Sequence, residues 1–214
     1  MNQELVKDIV NEVVQRLHNE MSVEVEASGK HVHLSRKEID VLFGEGYQLT
    51  KVKELSQPGQ YACKERITLI GPKGCLHQVV VLGPERKKAQ VEVSLTDALT
   101  LGIAAPLRES GNIEGTSGVI IASGAAMIRL EQGLIAAKRH IHMSTEDAQK
   151  FQLNNGEIVR VEVWGKRPLA FDDVLIRVSS SYKTYMHIDY DEANACGFVK
   201  GTKGRIIRQG RAGA

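Results

Sequence analysis

Five of the seven histidines in this 214-residue chain fall at positions of an internal repeat, four of them in two matched segments. Gly29-Lys30-His31-Val32-His33-Leu34-Ser35 and Lys138-Arg139-His140-Ile141-His142-Met143-Ser144 are two versions of one segment. Alternate residues of a strand face the same side, so each His-x-His can present two imidazoles to one ion. An acid follows each pair at the same distance, Glu38 and Asp147. Ser-x-x-Glu and Ser-x-x-Asp are helix-start signals, so each pair is expected on a strand leading into a short helix that stops near Gly44 or Gly156.

A second element repeats as well. Gln90-Val91-Glu92-Val93-Ser94 precedes a helix-like stretch at 96–101 and Gly102, and Tyr185-Met186-His187-Ile188-Asp189 precedes 191–196 and Gly197. Aligning the two glycines sets Glu92 opposite His187. The first copy has 58 residues between His33 and Glu92 and the second 44 between His142 and His187, so the first carries an insertion of 14. The candidate ligand sets are His31, His33 and Glu92, then His140, His142 and His187. Three protein ligands with an open position is the usual arrangement of catalytic zinc, although these donors also admit cobalt, iron or manganese. Such ions would polarise an electrophile and neutralise an anionic nucleophile. One His-x-His alone is more often a strand-surface or core feature; two in matched contexts favour ligation.

The remaining chemistry-bearing residues read as ordinary. Cys63, Cys75 and Cys196 make no close pair, which fits a reducing compartment, and no activating neighbour stands beside them in sequence. They are read as structural, and His18 and His77 as surface residues.

The elements that must position these groups are mostly strands. Short β-branched runs occur at 67–70, 78–82, 90–94, 119–122, 158–163, 174–178 and 185–188, divided by turn signals such as Gly71-Pro72-Lys73-Gly74, Gly83-Pro84 and Asn155-Gly156. Evenly spaced short strands with few helices suggest barrels or sandwiches. Ahead of them, residues 3–18 read as an amphipathic helix with Val6, Ile9, Val10, Val13 and Leu17 on one face, then a polar joint at 20–22.

Composition sets the outer bounds. A formal charge of +2 gives no global field for nucleic acid. The basic run Lys200, Lys203, Arg205, Arg208, Arg211 reads as a solvated tail, with a phosphorylated ligand or nucleic acid as the alternative. No stretch nears the roughly 18 apolar residues of a membrane span, and no secretory signal is visible. A soluble intracellular protein is expected.

Taken together, several motifs resemble the PduL-type phosphotransacylases, the phosphate propanoyltransferases of bacterial microcompartments. They are Ser28-Gly29-Lys30-His31-Val32-His33-Leu34-Ser35, Gln57-Pro58-Gly59-Gln60-Tyr61-Ala62, Ile70-Gly71-Pro72-Lys73-Gly74, Leu82-Gly83-Pro84-Glu85-Arg86, Gln90-Val91-Glu92-Val93-Ser94, Arg139-His140-Ile141-His142-Met143 and His187-Ile188-Asp189-Tyr190-Asp191-Glu192-Ala193-Asn194-Ala195. In motif order they cover roughly residues 22–207.

The resemblance implies a mainly β fold of two small β-barrels with short capping helices, preceded by the N-terminal amphipathic helix. It implies that the first strand joins the C-terminal barrel. The corresponding boundaries are 1–19 for a targeting helix and linker, 20–29 plus 138–207 for one barrel, 30–137 for the other, and 208–214 for a tail. It also implies two zinc ions on the six ligands already chosen, Arg86 as the phosphate-binding residue, and coenzyme A contacts near Ala27, Ser28, Lys73 and Asn194. The implied reaction is reversible transfer of a propanoyl or acetyl group between coenzyme A and inorganic phosphate. Residues 3–18 would then target the chain to shell or core proteins of a microcompartment within the cytoplasm; a homo-oligomer is left open. One departure is Val80, six residues before Arg86, where the family often has an arginine; Lys73, Lys87 or Lys88 are the basic groups available instead. Two competing readings are a dinuclear hydrolase and a non-enzymatic bicupin-like metal-binding protein. The Gly83-Pro84-Glu85-Arg86 loop near Glu92 argues for an anion site and against the second.

Overall fold

β-branched runs dominate the chain, and the alternation within each run decides which face enters a core. The structure is a computed structural model that describes residues 21–208 and, outside them, Val6. The helix expected over 3–18 and Arg211 of the basic run lie outside the described residues.

In chain order the elements begin with β1 (Ser22–Ser28), β2 (His31–His33), α1 (Arg36–Phe43), β3 (Lys51–Glu54), β4 (Tyr61–Ile70), β5 (Cys75–Gly83) and β6 (Gln90–Glu92). Next come α2 (Leu95–Leu101), β7 (Leu107–Arg108), β8 (Ser117–Ser123), β9 (Ala126–Ala137) and β10 (His140–Met143). The rest is α3 (Thr145–Phe151), β11 (Ile158–Val163), β12 (Leu169–Val178), β13 (Tyr185–Asp189), α4 (Tyr190–Cys196) and β14 (Lys203–Arg208).

The strands close into two six-stranded barrels, so the expected mainly β, two-barrel class is what forms. One barrel runs β1-β13-β10-β12-β11-β14. The other closes as β4-β5-β2-β6-β9-β8, because β8 pairs with both β9 and β4; β3 and β7 are added to its sheet. The chain divides into two compact units: residues up to Ala27 with Arg139–Ile188 and those from Glu192 on, and Ser28–Lys138 with Asp189–Asp191. The first strand thus pairs within the C-terminal half, Ser22 against Arg205 and Glu24 against Lys203.

Each barrel has the same internal wiring. β2 runs parallel to β5 and antiparallel to β6, and β10 runs parallel to β12 and antiparallel to β13. Inward residues alternate with outward ones, as closure of a small barrel requires. Val32, Leu69, Val79, Val91 and Ile121 fill one core. Val25, Ile141, Val161, Ile176 and Met186 fill the other.

The turn between β4 and β5 docks on the end of α2, where the Lys73 N–H donates to the Leu101 carbonyl at 3.1 Å. The turn between β11 and β12 docks likewise on α4, with the Arg167 N–H donating to the Cys196 carbonyl at 3.1 Å. Glycine is needed at both contacts. A Cβ at Gly71 would stand 2.2 Å from the Leu101 oxygen, and one at Gly165 2.1 Å from that of Cys196.

Three expectations change. The basic run is not a free tail through Arg208: Lys203, Arg205 and Arg208 belong to β14, and Arg205 pairs with Glu162 at 2.7 Å. The helix after the second His-x-His ends well before Gly156, because Gln152 itself takes the left-handed cap at φ 52°. The longest strand, β9, had no counterpart among the expected runs, since its outer half is solvent-facing and its inner half a continuous buried stretch.

Candidate metal centre and anion site

Because Val32 enters its barrel core, His31 and His33 must leave β2 on the opposite face. Val91 and Val93 likewise turn inward and leave Glu92 outward. The register sets His31 directly against Glu92. In the other barrel Ile141, Met143, Met186 and Ile188 are the inward residues, and His140 pairs directly with His187. The two barrels therefore put their third candidate at the same register position, Glu in one and His in the other.

In the first set, the ligand atoms of His31, His33 and Glu92 all lie within 4.8 Å of one another, and both histidines are buried. His31 Nδ1 is 2.8 Å from the Gly29 carbonyl. A carbonyl only accepts, so Nδ1 carries the proton and Nε2 is left to face Glu92, 3.5 Å away. A ring held this way by a backbone acceptor is the usual support of a metal-ligating histidine. Burial opposes a charge on His31, but the Glu92 carboxylate outweighs it and raises its pKa. Burial alone would also raise Glu92; the charge and hydrogen bond of His31 outweigh it and hold the carboxyl well below the usual range. His33 is pushed down to about 2 by burial, then by the charges of His31 and Arg86. It stays a neutral imidazole, the form that binds metal. Its buried Nδ1 meets no hydrogen-bond partner, an arrangement that costs about 1–3 kcal/mol unless something else takes the lone pair or proton. Donor types, tautomer and this orphaned nitrogen fit a divalent ion.

The second set is a cluster of three imidazoles. Ring centroids lie 4.6 Å apart for His140 and His142, 5.2 Å for His140 and His187, and 4.9 Å for His142 and His187. Glu26 on β1 is 3.8 Å from His187 Nδ1, and Tyr182 lies against His142 at 4.3 Å between centroids. Among the described residues, only the first set gathers three ligand atoms within 4.8 Å.

Arg86 follows β5, and its backbone N–H donates to the Leu34 carbonyl at 2.8 Å, which fixes the loop against the end of β2. Its side chain lines a depression of about 260 Å³ together with His33, Pro58, Gly59, Gln60, Gly83 and Pro84. Arg86 Nη1 donates to Ser110 Oγ at 3.3 Å. Ser110 donates in turn to Glu92 Oε1 at 2.8 Å and accepts from Gln90 Nε2 at 2.9 Å. Gln90 is oriented by the Gly111 N–H, which donates to its Oε1 at 2.7 Å.

Ser110 and Gln90 were not singled out in the sequence. Gln90 carried a usable signal, since it stands two residues before Glu92 and shares its face; Ser110 lies in a loop and carried none. Of the other expected contacts, Ser28 ends β1 with its hydroxyl 3.5 Å from His31 Nδ1. Ala27 is half-buried on the same strand, Lys73 is exposed in the β4–β5 turn, and Asn194 is exposed on α4. Val80, at the point of departure, pairs with His31 across β2 and β5.

The duplicated barrel repeats a His-x-His strand and its facing candidate ligand, and an arginine-bearing loop stands beside one copy. Comparison with known proteins makes the class specific. The sequence profile of phosphate propanoyltransferase matches residues 24–199. The chain is 62% identical over 205 residues to a phosphate propanoyltransferase of Enterococcus faecalis, covering 95% of this chain and 97% of that one. It is 60% identical over 205 residues to one from Clostridioides difficile (96% and 98% covered), and 58% over 212 residues to one from Listeria monocytogenes (99% and 100% covered). The chain belongs to the phosphate propanoyltransferase family, and is an acyltransferase.

Proposed function

We propose that this enzyme transfers a propanoyl or acetyl group reversibly between coenzyme A and inorganic phosphate. In this reading it holds one divalent ion on His31, His33 and Glu92 and a second on His140, His142 and His187, with zinc the best match to the donors. The observation that carries the reading is Arg86 sharing one depression with the candidate ligand His33.

The Arg86 guanidinium offers a rigid fork that suits two phosphate oxygens. Ser110 holds that fork, and the wall of Pro58, Gly59 and Pro84 limits the room around it. A phosphate oxygen then attacks the thioester carbon, the coenzyme A thiolate leaves, and acyl phosphate is formed. When bound, the two metal ions supply Lewis-acid polarisation and charge neutralisation. The hydroxyls beside the site, Ser28 and Ser110, face His31 and Glu92, which this reading commits to the metal rather than to a base, so direct transfer is favoured over an acyl-enzyme. Ala27, Ser28, Lys73 and Asn194 are the proposed coenzyme A contacts. Residues 3–18 are the proposed targeting segment for a microcompartment.

The test is thiol release from acetyl- and propanoyl-CoA, with and without phosphate and chelator. Phosphate-dependent, chelator-sensitive release supports acyl transfer to phosphate. Equal release without phosphate indicates a thioester hydrolase instead.

A further inference from the structure

Cys75 and His77 lie outside the metal centre and anion site. They occupy alternate positions of β5, and Leu76 between them turns into the barrel core, so both leave the sheet on its outer face. Both are exposed. Cys75 Sγ is 3.1 Å from His77 Nε2. His77 Nδ1 is 3.2 Å from Thr68 Oγ1 on the neighbouring β4.

This grouping depends on an irregular register. Ile67 pairs with Val79 and Leu69 with Leu76, so Thr68 alone faces two residues, His77 and Gln78. Gln78 absorbs the extra residue at φ 57°, in the left-handed region that side chains rarely adopt. The bulge lets Leu76 and Val79 both point inward while His77 stays outside beside Thr68. Thiol, imidazole and hydroxyl then stand in the order of nucleophile, base and orienting group. The other two thiols differ. Cys63 is buried, and burial pushes it up to about 11; burial also raises Cys196.

We propose that Cys75, with His77 as its base and Thr68 holding the imidazole, is a thiol–disulfide exchange site for the disulfides of small thiols. The Cys75 thiolate attacks one sulfur of the small disulfide, whose S–S bond breaks as the mixed disulfide forms on Cys75. The departing thiolate takes up the proton that His77 removed. The Cys75 sulfur is oxidised and one sulfur of the reagent is reduced, so the disulfide is the only oxidant required. Exchange at sulfur develops no oxyanion and asks for no donors beyond these three side chains, whereas acyl transfer to the same thiol would need them.

The test mixes the folded full chain with dithiobis(nitrobenzoate) at neutral pH and follows release of the coloured thiol, with mass spectrometry to find the modified residue. One thiol per chain should react, at Cys75, about tenfold or more faster than N-acetylcysteine. Cys75→Ser should remove that phase. His77→Ala should return the rate close to that of the reference thiol, and Thr68→Val should slow it by less. His77→Gln, which fills the same surface position, decides the matter if His77→Ala does not fold. The proposal is overturned if Cys75 reacts no faster than N-acetylcysteine, or if it keeps its rate without His77.

Discussion

Ser110 Oγ stands 2.8 Å from Glu92 Oε1 and 3.3 Å from Arg86 Nη1, so one hydroxyl joins a candidate metal ligand to the candidate phosphate anchor. Its single proton goes to the carboxylate, and its two lone pairs accept from Gln90 and Arg86. Ser110→Ala would remove one hydrogen bond from the carboxylate and one from the guanidinium together, leaving Glu92 Oε1 its bond from Gln90 Nε2 at 2.6 Å. Affinity for the ion at His31, His33 and Glu92 should fall about ten- to a hundred-fold, and KM for phosphate should rise. Chelator competition and a KM-against-kcat comparison check both, and Ser110→Thr, which keeps the hydroxyl, should retain most of each. Unchanged metal affinity and phosphate KM in the alanine variant would reduce Ser110 to a packing residue.

Each ligand set lies within its own barrel, so losses at the two should add. Elemental analysis of purified protein should find two ions per chain, falling to one in His33→Ala or His142→Ala and to none in the double variant. Retention of two ions by either single variant would count against that set.

The local part of this site was legible in the sequence. A His-x-His pair declares its shared face through strand alternation, and the glycines closing α2 and α4 aligned Glu92 with His187. The register reproduces that match, His31 facing Glu92 and His140 facing His187. Contacts set by distant pairing were not legible. Ser110 meets Glu92 and Arg86 across 18 and 24 residues of chain, from a loop with no periodicity. Cys75 and His77 looked unrelated because the bulge at Gln78, which turns His77 toward Thr68, arises only when β4 pairs with β5. Barrel closure itself depends on β8 pairing with two strands, one of them far back in the chain.

The geometry of charge at Arg86 should matter as much as its sign. Arg86→Lys keeps a cation but loses the planar fork. Its KM for phosphate should rise about tenfold, the order of a lost charge-assisted hydrogen bond, while KM for acyl-CoA stays near that of the parent. Arg86→Ala should weaken phosphate use further. Steady-state kinetics with phosphate varied at fixed acyl-CoA checks this, and an unaltered phosphate KM in both variants would remove Arg86 from the anion site.

Glu65 offers a test of the barrel rather than of the chemistry. Its buried carboxylate accepts from the Tyr47 hydroxyl at 2.9 Å and the Thr50 N–H at 3.0 Å, tying the segment before β3 to β4. Burial alone would raise its pKa, but hydrogen bonds from the backbone and from Thr50 and Tyr47 outweigh burial and lower it. The unfolded chain therefore binds this proton more readily than the folded one. The resulting stability is fully present above the ordinary carboxylate pKa and is lost as pH falls through the lower folded value. Glu65→Gln should cost about 1–2 kcal/mol at neutral pH, the difference between charged and neutral hydrogen bonds. The gap between parent and variant should close on acidification, because the protonated glutamate and the glutamine are then near-equivalent acceptors. Urea unfolding of both proteins at neutral and acidic pH measures this, and a gap that stays constant with pH would show that the charge on Glu65 contributes nothing.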